Sequence, residues 1–509
     1  VNLSEIIDRG ARAFADKPAL IHDGGRIAYG RLQAAVARVA VRLREHGIRR
    51  GDRVAVYMPN RPEWVAAYYG IVRAGAVAVC VGAAYRRQEV QHLLEVAQAD
   101  LVITCEELLA QAQPPGADPA RPRAVLAWER DDGLAAALAP GAPPPEAFPP
   151  VDCGFGDPCA ILFTGGTTGT PKGAVLTHGN ILYTAQNVCY HERAAAGDVA
   201  LCFLPLNHVF GGNHILNATL YGCGTLVLQP GFDMDRALAA VRAEKVSRFY
   251  SVPTVFIRLL NAPDSPRHLA SVTYCFSAAA SMAADIVRRW RERFGRVIHE
   301  AYGMTETASL VTFNHMYRHK AGSVGTPAGV VEVRIVDPED RPLPAGEAGE
   351  ILIRGPNVMA GYFNQPAETA RALRGGWLHS GDIGRIDSEG YLFIVDRIKD
   401  LVITGGLNVY PSEVEAVLYT HPGVEECCVV GMPHPEYGEA VTAFVKRREA
   451  AACREGELID YCKQHLASYK APKSVRFVAE LPKSPAGKIL KREVRHLPAA
   501  GPETERGKP

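Results

Sequence analysis

The densest chemistry in the chain lies at Thr164-Gly165-Gly166-Thr167-Thr168-Gly169-Thr170-Pro171-Lys172-Gly173. Glycines let backbone N–H groups come close to phosphate oxygens. The threonine hydroxyls add donors, and Lys172 adds a positive charge. The stretch is not a Walker A loop, which needs Gly-Lys-Ser/Thr opening a helix. Here Gly173 follows the lysine, and Ala174 to Thr177 has the pattern of a strand. The loop is expected to join two strands and to cradle phosphate.

Four further segments carry reactive groups. His299-Glu300-Ala301-Tyr302-Gly303-Met304-Thr305-Glu306-Thr307 offers an aromatic face, a hydroxyl and a carboxylate. Those groups can stack a purine, bond a phosphate and hold Mg²⁺; a capped helix start would look similar. In Gly376-Trp377-Leu378-His379-Ser380-Gly381-Asp382, an acid beside glycine can take both ribose hydroxyls. Asp396-Arg397-Ile398-Lys399-Asp400 precedes Gly405-Gly406, and Ser412 with Glu415 then forms a capping box. This reads as a hinge followed by a flexible loop and a helix. Near the end, Lys488 follows Gly487 in a proline-broken basic stretch, which in isolation is a solvated surface.

The elements that must position these groups read as α/β. Leu32, Ala35, Val36, Val39 and Leu43 recur at helical spacing between Arg31 and His46. Arg53 to Met58 is a strand, Trp64 to Ala74 a helix and Ala76 to Val81 another strand, a βαβ unit. Gln113 to Pro150 is rich in proline and alanine and is expected to be a surface connector. Beyond Arg397 the pattern restarts as a unit of about 100 residues. Its strands are expected near Leu401 to Thr404, Glu426 to Gly431 and Ala440 to Lys446, and its helices near Ser412 to Tyr419 and Gly456 to Leu466.

Composition narrows the class. The 509 residues are 47% hydrophobic and 22% charged, which excludes a disordered chain. With 56 Lys and Arg against 55 Asp and Glu, the net charge of +1 gives no reason to expect nucleic acid as a partner. No apolar run reaches membrane-spanning length, and the first residues lack a signal-peptide pattern. The twelve cysteines contain no Cys-x-x-Cys pair, as expected of a reduced, cytoplasmic protein.

The five segments, in this order and at these separations, resemble the adenylate-forming superfamily, which holds the acyl-CoA synthetases, firefly luciferases and peptide-synthetase adenylation domains. The resemblance runs from about Leu3 to Arg495. It implies an α/β fold with a large multi-subdomain N-terminal AMP-binding domain over 1–396 and a hinge at 397–400. A small α+β lid domain would cover 401–498, with a disordered tail over 499–509. It implies ATP, Mg²⁺ and coenzyme A as co-substrates and cofactor. A carboxylate would attack the α-phosphate to give an acyl-adenylate and pyrophosphate; the lid would then turn and a thiol take the acyl group.

By that resemblance, Thr164 to Lys172 cradle the β- and γ-phosphates. Ala278, Ala279, Glu300, Ala301 and Tyr302 surround adenine, Thr305 bonds the α-phosphate and Glu306 holds Mg²⁺. Asp382 and Arg397 take the ribose. Lys488 reaches the α-phosphate and the attacking carboxylate, Lys399 is the hinge, and Gly406 enters during thiol transfer. The adenine turn departs from the family's Ser-Gly-Gly/Ala-Ala-Pro: it reads Ser277-Ala278-Ala279-Ala280-Ser281. Glu300 stands where an amide is frequent.

The segment Leu204 to His214 resembles the family's acyl-pocket lining, with His208, Phe210 and Asn213 as pocket or thiol-path residues. No aspartate occurs there to pair a substrate ammonium, so a fatty or aryl acid is favoured over an amino acid. The expected enzyme is an acyl-CoA synthetase acting on a small-molecule carboxylic acid, as a monomer or homodimer. A ligase loading a carrier protein in trans and a non-catalytic AMP- or acyl-binding homologue are the alternatives.

Overall fold

A computed structural model describes residues 1–113, 124–139, 141, 147–164, 171–280, 282–448, 453–484 and 487–497. Apolar residues spaced for one helical face form the helix Tyr29–Glu45, and Pro62 in the first turn opens the next helix, Pro62–Arg73. The intervening strands Arg53–Tyr57 and Val77–Val81 are almost wholly apolar, as strands covered on both faces must be.

Two seven-stranded sheets organise the large domain. One runs, in spatial order, Ile298–Glu300, Tyr274–Ser277, Arg248–Ser251, Val199–Cys202, Thr225–Leu228, Pro18–His22 and Gly25–Ala28. All its neighbours are parallel except the last pair. The other centres on parallel strands and carries Lys172–Thr177 and Gly361–Tyr362 as antiparallel additions at one edge. A common apolar core, including Trp64, Trp290, Tyr29, Tyr69 and Phe256, fills the space around them. Each such side chain contributes about 1.5–3 kcal/mol on burial. A third, four-stranded antiparallel sheet follows, from Glu332–Val336 to Leu392–Arg397.

The small domain has its own sheet and its own core. Its strands include Val402–Thr404, Val424–His434 and Gly438–Arg447, flanked by helices Pro411–Thr420 and Glu455–His465. Val414, Leu418, Val441 and Leu458 are fully buried within it. The expected elements are all found, each strand longer or shorter by a few residues.

The proline-rich connector departs from expectation. Ala124–Ala127 pairs in parallel with Leu101–Thr104 and completes the edge of the second sheet, and two short helical turns follow. Arg42 pins this stretch through Asp131 at 2.8 Å. Only four residues form the strand, too few for a periodic signal between prolines. The tail from 499 lies outside the described residues. No helix among the described residues is long and apolar enough to cross a membrane.

Candidate active site

The site sits where strands of the first sheet end. In this register Ser277 faces Glu300, so the turn at Ala278 and Ala279 lies beside Ala301 and Tyr302. Ligands of open α/β sheets gather at such carboxyl ends. Ala279 has φ +71, a left-handed backbone that alanine adopts only under strain. Gly303 cannot be otherwise: a Cβ there would lie 1.7 Å from the carbonyl oxygen of Ser309. This close approach folds the segment back into the tight turn Thr305–Thr307.

The antiparallel register of Leu378–Ile386 with Leu392–Arg397 places Asp382 opposite Arg397. Arg397 Nε lies 2.9 Å from Asp382 Oδ1, and the Tyr302 hydroxyl donates to Asp382 Oδ2 at 2.7 Å. Three residues from separated segments thus meet, with Asp382 and Tyr302 buried. Burial, then the neighbouring Asp382 carboxylate, push the Tyr302 hydroxyl well above its ordinary pKa, so it remains a donor.

Glu306 is buried and forms no ion pair with the described residues. Desolvation raises its pKa, and one oxygen accepts from the Tyr362 hydroxyl at 2.9 Å. A buried carboxylate without a cationic partner among the described residues, next to the strands Pro158–Thr164 and Lys172–Thr177, suits a hard divalent ion. Glu300 is similarly buried; desolvation lifts it to about 8, and its Oε2 has no hydrogen-bond partner among the described residues.

The loop strands form as expected: Pro158–Thr164 and Lys172–Thr177 pair antiparallel, Thr164 opposite Lys172. Gly165, Gly166, Thr167, Thr168, Gly169 and Thr170 lie outside the described residues. Lys172 is paired with Glu368 and lies 5.2 Å from the Tyr362 ring centroid. Tyr362 and Glu368 went unnoticed in the sequence. Their signal was Gly361-Tyr362 followed by a proline-opened helix, which has no meaning until that segment pairs with Ala174 and Val175.

The small domain reaches this site through Lys488. Desolvation first, then the charges of Arg397 and Lys399, lower its pKa to about 8, while Asp382 and Asp400 oppose them. Its charge is also felt by His208, which desolvation has already driven to about 4. The neutral ring accepts the Phe210 N–H at Nδ1, at 3.2 Å, leaving the proton on Nε2. Gly487, at φ +81, rests against Val252 of the large domain; a Cβ there would meet Val252 Cγ2 at 2.9 Å. Gly487 thus seats the small domain against the large one, and the charges of Asp382 and Arg397 both act on Lys488.

Other expected residues stand apart. Lys399 is exposed on the turn Ile398–Asp400, between the two domains' sheets. Gly406 is exposed on the hairpin of Val402–Thr404 and Leu407–Val409, with nothing within 4 Å of where its Cβ would be. Asn213 is buried, donating to the Ala308 carbonyl and accepting from Asn217, so its amide braces the Glu306 turn. Phe210 and His214 belong to a ring cluster with Phe276: His214 stacks on Phe276 at 4.4 Å, and Phe210 meets His214 edge-on at 5.6 Å.

Comparison with known proteins identifies the family and the fold. The model of the AMP-binding enzyme family matches residues 7–363, and that of the AMP-binding enzyme C-terminal domain matches 413–488. A feruloyl-CoA synthase of Amycolatopsis sp is 39% identical over 96% of this chain and 97% of its own. A long-chain-fatty-acid–CoA ligase of Bacillus subtilis is 32% identical over 97% and 94%. The anthranilate CoA ligase AuaEII, solved with anthranoyl-AMP, superposes with a TM-score of 0.90 at 27% identity, over 97% of both chains.

Proposed function

We infer the acid and the residue roles from one premise: the chain belongs to the AMP-binding enzyme family and is an ATP-dependent acid–CoA ligase working through an acyl-adenylate. The acid proposed is an aryl carboxylate of the cinnamate or benzoate type. The observation that carries this is the ring cluster of Phe210, His214 and Phe276, extended by Tyr250 and Phe313 at 5.9 and 5.7 Å from Phe276. It borders the segment expected to line the acyl pocket, and flat rings favour stacked or edge-on aromatic partners. The feruloyl-CoA synthase and anthranilate ligase relatives support the same class. A dicarboxylic acid is disfavoured: Arg248, which lies over the Tyr274 ring next to this cluster, is already paired with Glu192 and Asp198.

The roles follow from charge. A carboxylate attacking a triphosphate is anion meeting anion, so catalysis must supply positioning and positive charge. Lys488 is proposed to bridge the attacking carboxylate and the α-phosphate, whose anions would hold its proton more firmly. Thr305 donates to the α-phosphate. Tyr302 and the Ala278–Ala279 turn enclose adenine, with Glu300 accepting from the amino group, and Asp382 with Arg397 holds the ribose. Glu306 would hold Mg²⁺, which neutralises phosphate charge when bound; Tyr362 keeps that carboxylate oriented. Lys172 takes the β- and γ-phosphates. His208 is proposed to gate the acid or the thiol path. Rotation about 397–400, with Lys399 as hinge, would withdraw Lys488 from the large domain and bring Gly406 in for the thiol. Twelve free thiols suit a reducing, cytoplasmic setting, and a monomer or homodimer is the expected assembly.

The test is thioester formation across aryl and straight-chain acids from acetate to palmitate, with coenzyme A present and absent. A cinnamate or benzoate should exceed every straight-chain acid in kcat/KM by at least about ten-fold, a difference of about 1.4 kcal/mol in transition-state binding. Preference for palmitate overturns the aryl assignment. An adenylate that coenzyme A fails to discharge points instead to a carrier-protein ligase.

A further inference from the structure

Lys172 does not stand free at the mouth of the phosphate loop. Its side chain is only 11% exposed, and its ammonium is paired with the carboxylate of Glu368, on the helix Pro366–Ala372. Arg371 bonds the same Glu368 oxygen from the solvent side. The lysine hydrogen bond, then the charges of Lys172 and Arg371, hold the Glu368 carboxyl below its ordinary pKa, so it is an anion at neutral pH. The pair is imposed by backbone: Phe363 N donates to Gly173 O at 2.8 Å, which fixes the helix start against the lysine strand. Met359 N donates to Glu306 O at 2.8 Å on the same segment.

A carboxylate and a phosphate present the same chemistry to an ammonium: negative oxygen acceptors at hydrogen-bond range. We propose that Glu368 competes with the β- and γ-phosphates of ATP for Lys172. Triphosphate binding is then an exchange of one anion for another. Arg371 keeps Glu368 partnered after the exchange, so the displaced carboxylate is not stranded. The Tyr362 ring lies beside the ammonium, and its hydroxyl ties the same locus to Glu306. Glu368 is thus a tuning residue for triphosphate affinity. The inference rests on the reading of Lys172 as the phosphate-loop cation.

The experiment measures binding of ATP and of AMP by calorimetry, with Mg²⁺ and without acid. It compares the intact enzyme with Glu368→Gln, Lys172→Met and the double variant. Glu368→Gln should tighten ATP about two- to five-fold, the range of a partly exposed ion pair, and leave AMP unchanged, since AMP lacks the phosphates in question. In the Lys172→Met background the same substitution should have no effect on ATP. Tightening that persists there would mean general repulsion between Glu368 and the triphosphate, and would overturn the proposal. Unchanged or weaker ATP binding by Glu368→Gln also overturns it, by making Glu368 a support for the lysine. If Lys172→Met left ATP binding intact while AMP still bound, the role of Lys172 itself would fall.

Discussion

Two groups of charged side chains lie about the first sheet, and they differ in how their charge is met. Beneath the ring cluster, Glu192 is 1% exposed and fully engaged. It lies 2.9 Å from His214 Nε2 and 3.4 Å from Arg248 Nη1, and the Tyr250 hydroxyl donates to it. Around the candidate active site, Glu300 has a buried oxygen without a partner, Glu306 has no cation among the described residues, and Lys488 forms no ion pair with them. The first group is closed and supports the fold. The second is open, and desolvation pushes Glu300, Glu306 and Lys488 towards their neutral forms, as in groups awaiting a charged substrate. An unpaired charge costs stability that only the ligand returns.

Breaking the closed group should have the largest effect. Glu192→Ala leaves His214, Tyr250 and Arg248 facing a void, and should cost about 3–5 kcal/mol of unfolding free energy in a denaturant titration. A loss below 1 kcal/mol would erase the contrast. In the open group the penalty should fall on rate instead. Lys488→Ala should lower adenylation on the order of 10²-fold or more, with thermal stability hardly changed. Thiol transfer from supplied acyl-adenylate should survive; equal loss in both half-reactions would remove Lys488 from its proposed role.

The lid should be separable from the site it closes. Lys399→Pro fixes φ at the turn between domains and should slow thioester formation by about ten-fold or more while pyrophosphate release persists. Normal rates for both would move the hinge elsewhere.

Smaller effects sharpen the contrast by pH. The Glu300 carboxyl is raised, so the folded protein binds its proton more tightly than the unfolded chain does. Its stabilising contribution is full below the ordinary value of 4.5 and is lost as pH rises towards about 8. Glu300→Gln does not titrate. It should therefore match the parent near pH 4.5 and exceed it near pH 8.5, by one to a few kcal/mol on the order of 1.4 per pKa unit. A difference independent of pH would mean that Glu300 is already ionised at low pH. Smallest of all, Ala279→Gly should relieve the left-handed strain and raise stability by about 0.5–1 kcal/mol, less the entropy of the added glycine. A destabilised variant would show that the methyl is needed for packing.

Legibility followed distance along the chain. The βαβ alternation, the strand-to-strand loop and the separate small domain were readable because each depends on neighbours within a few residues. The edge strand Ala124–Ala127 was not: its prolines and alanines spell a connector, and only pairing with Leu101–Thr104 makes it a strand. Tyr302 was assigned to a purine from its ring, yet its hydroxyl bond to Asp382 joins residues 80 apart. Glu368, 196 residues from Lys172, carried no signal of its own.

Residue type and order, through the family resemblance they carry, determined the reaction class, because each of the five segments is contiguous and their order along the chain is independent of what surrounds them. Tertiary structure alone decided which charges are matched and which are left open, because a charge is matched by whatever the folded chain brings within a few ångströms. The displaced acidities of Lys488, Glu300 and His208 have the same origin: they arise from lost water, which a sequence does not record.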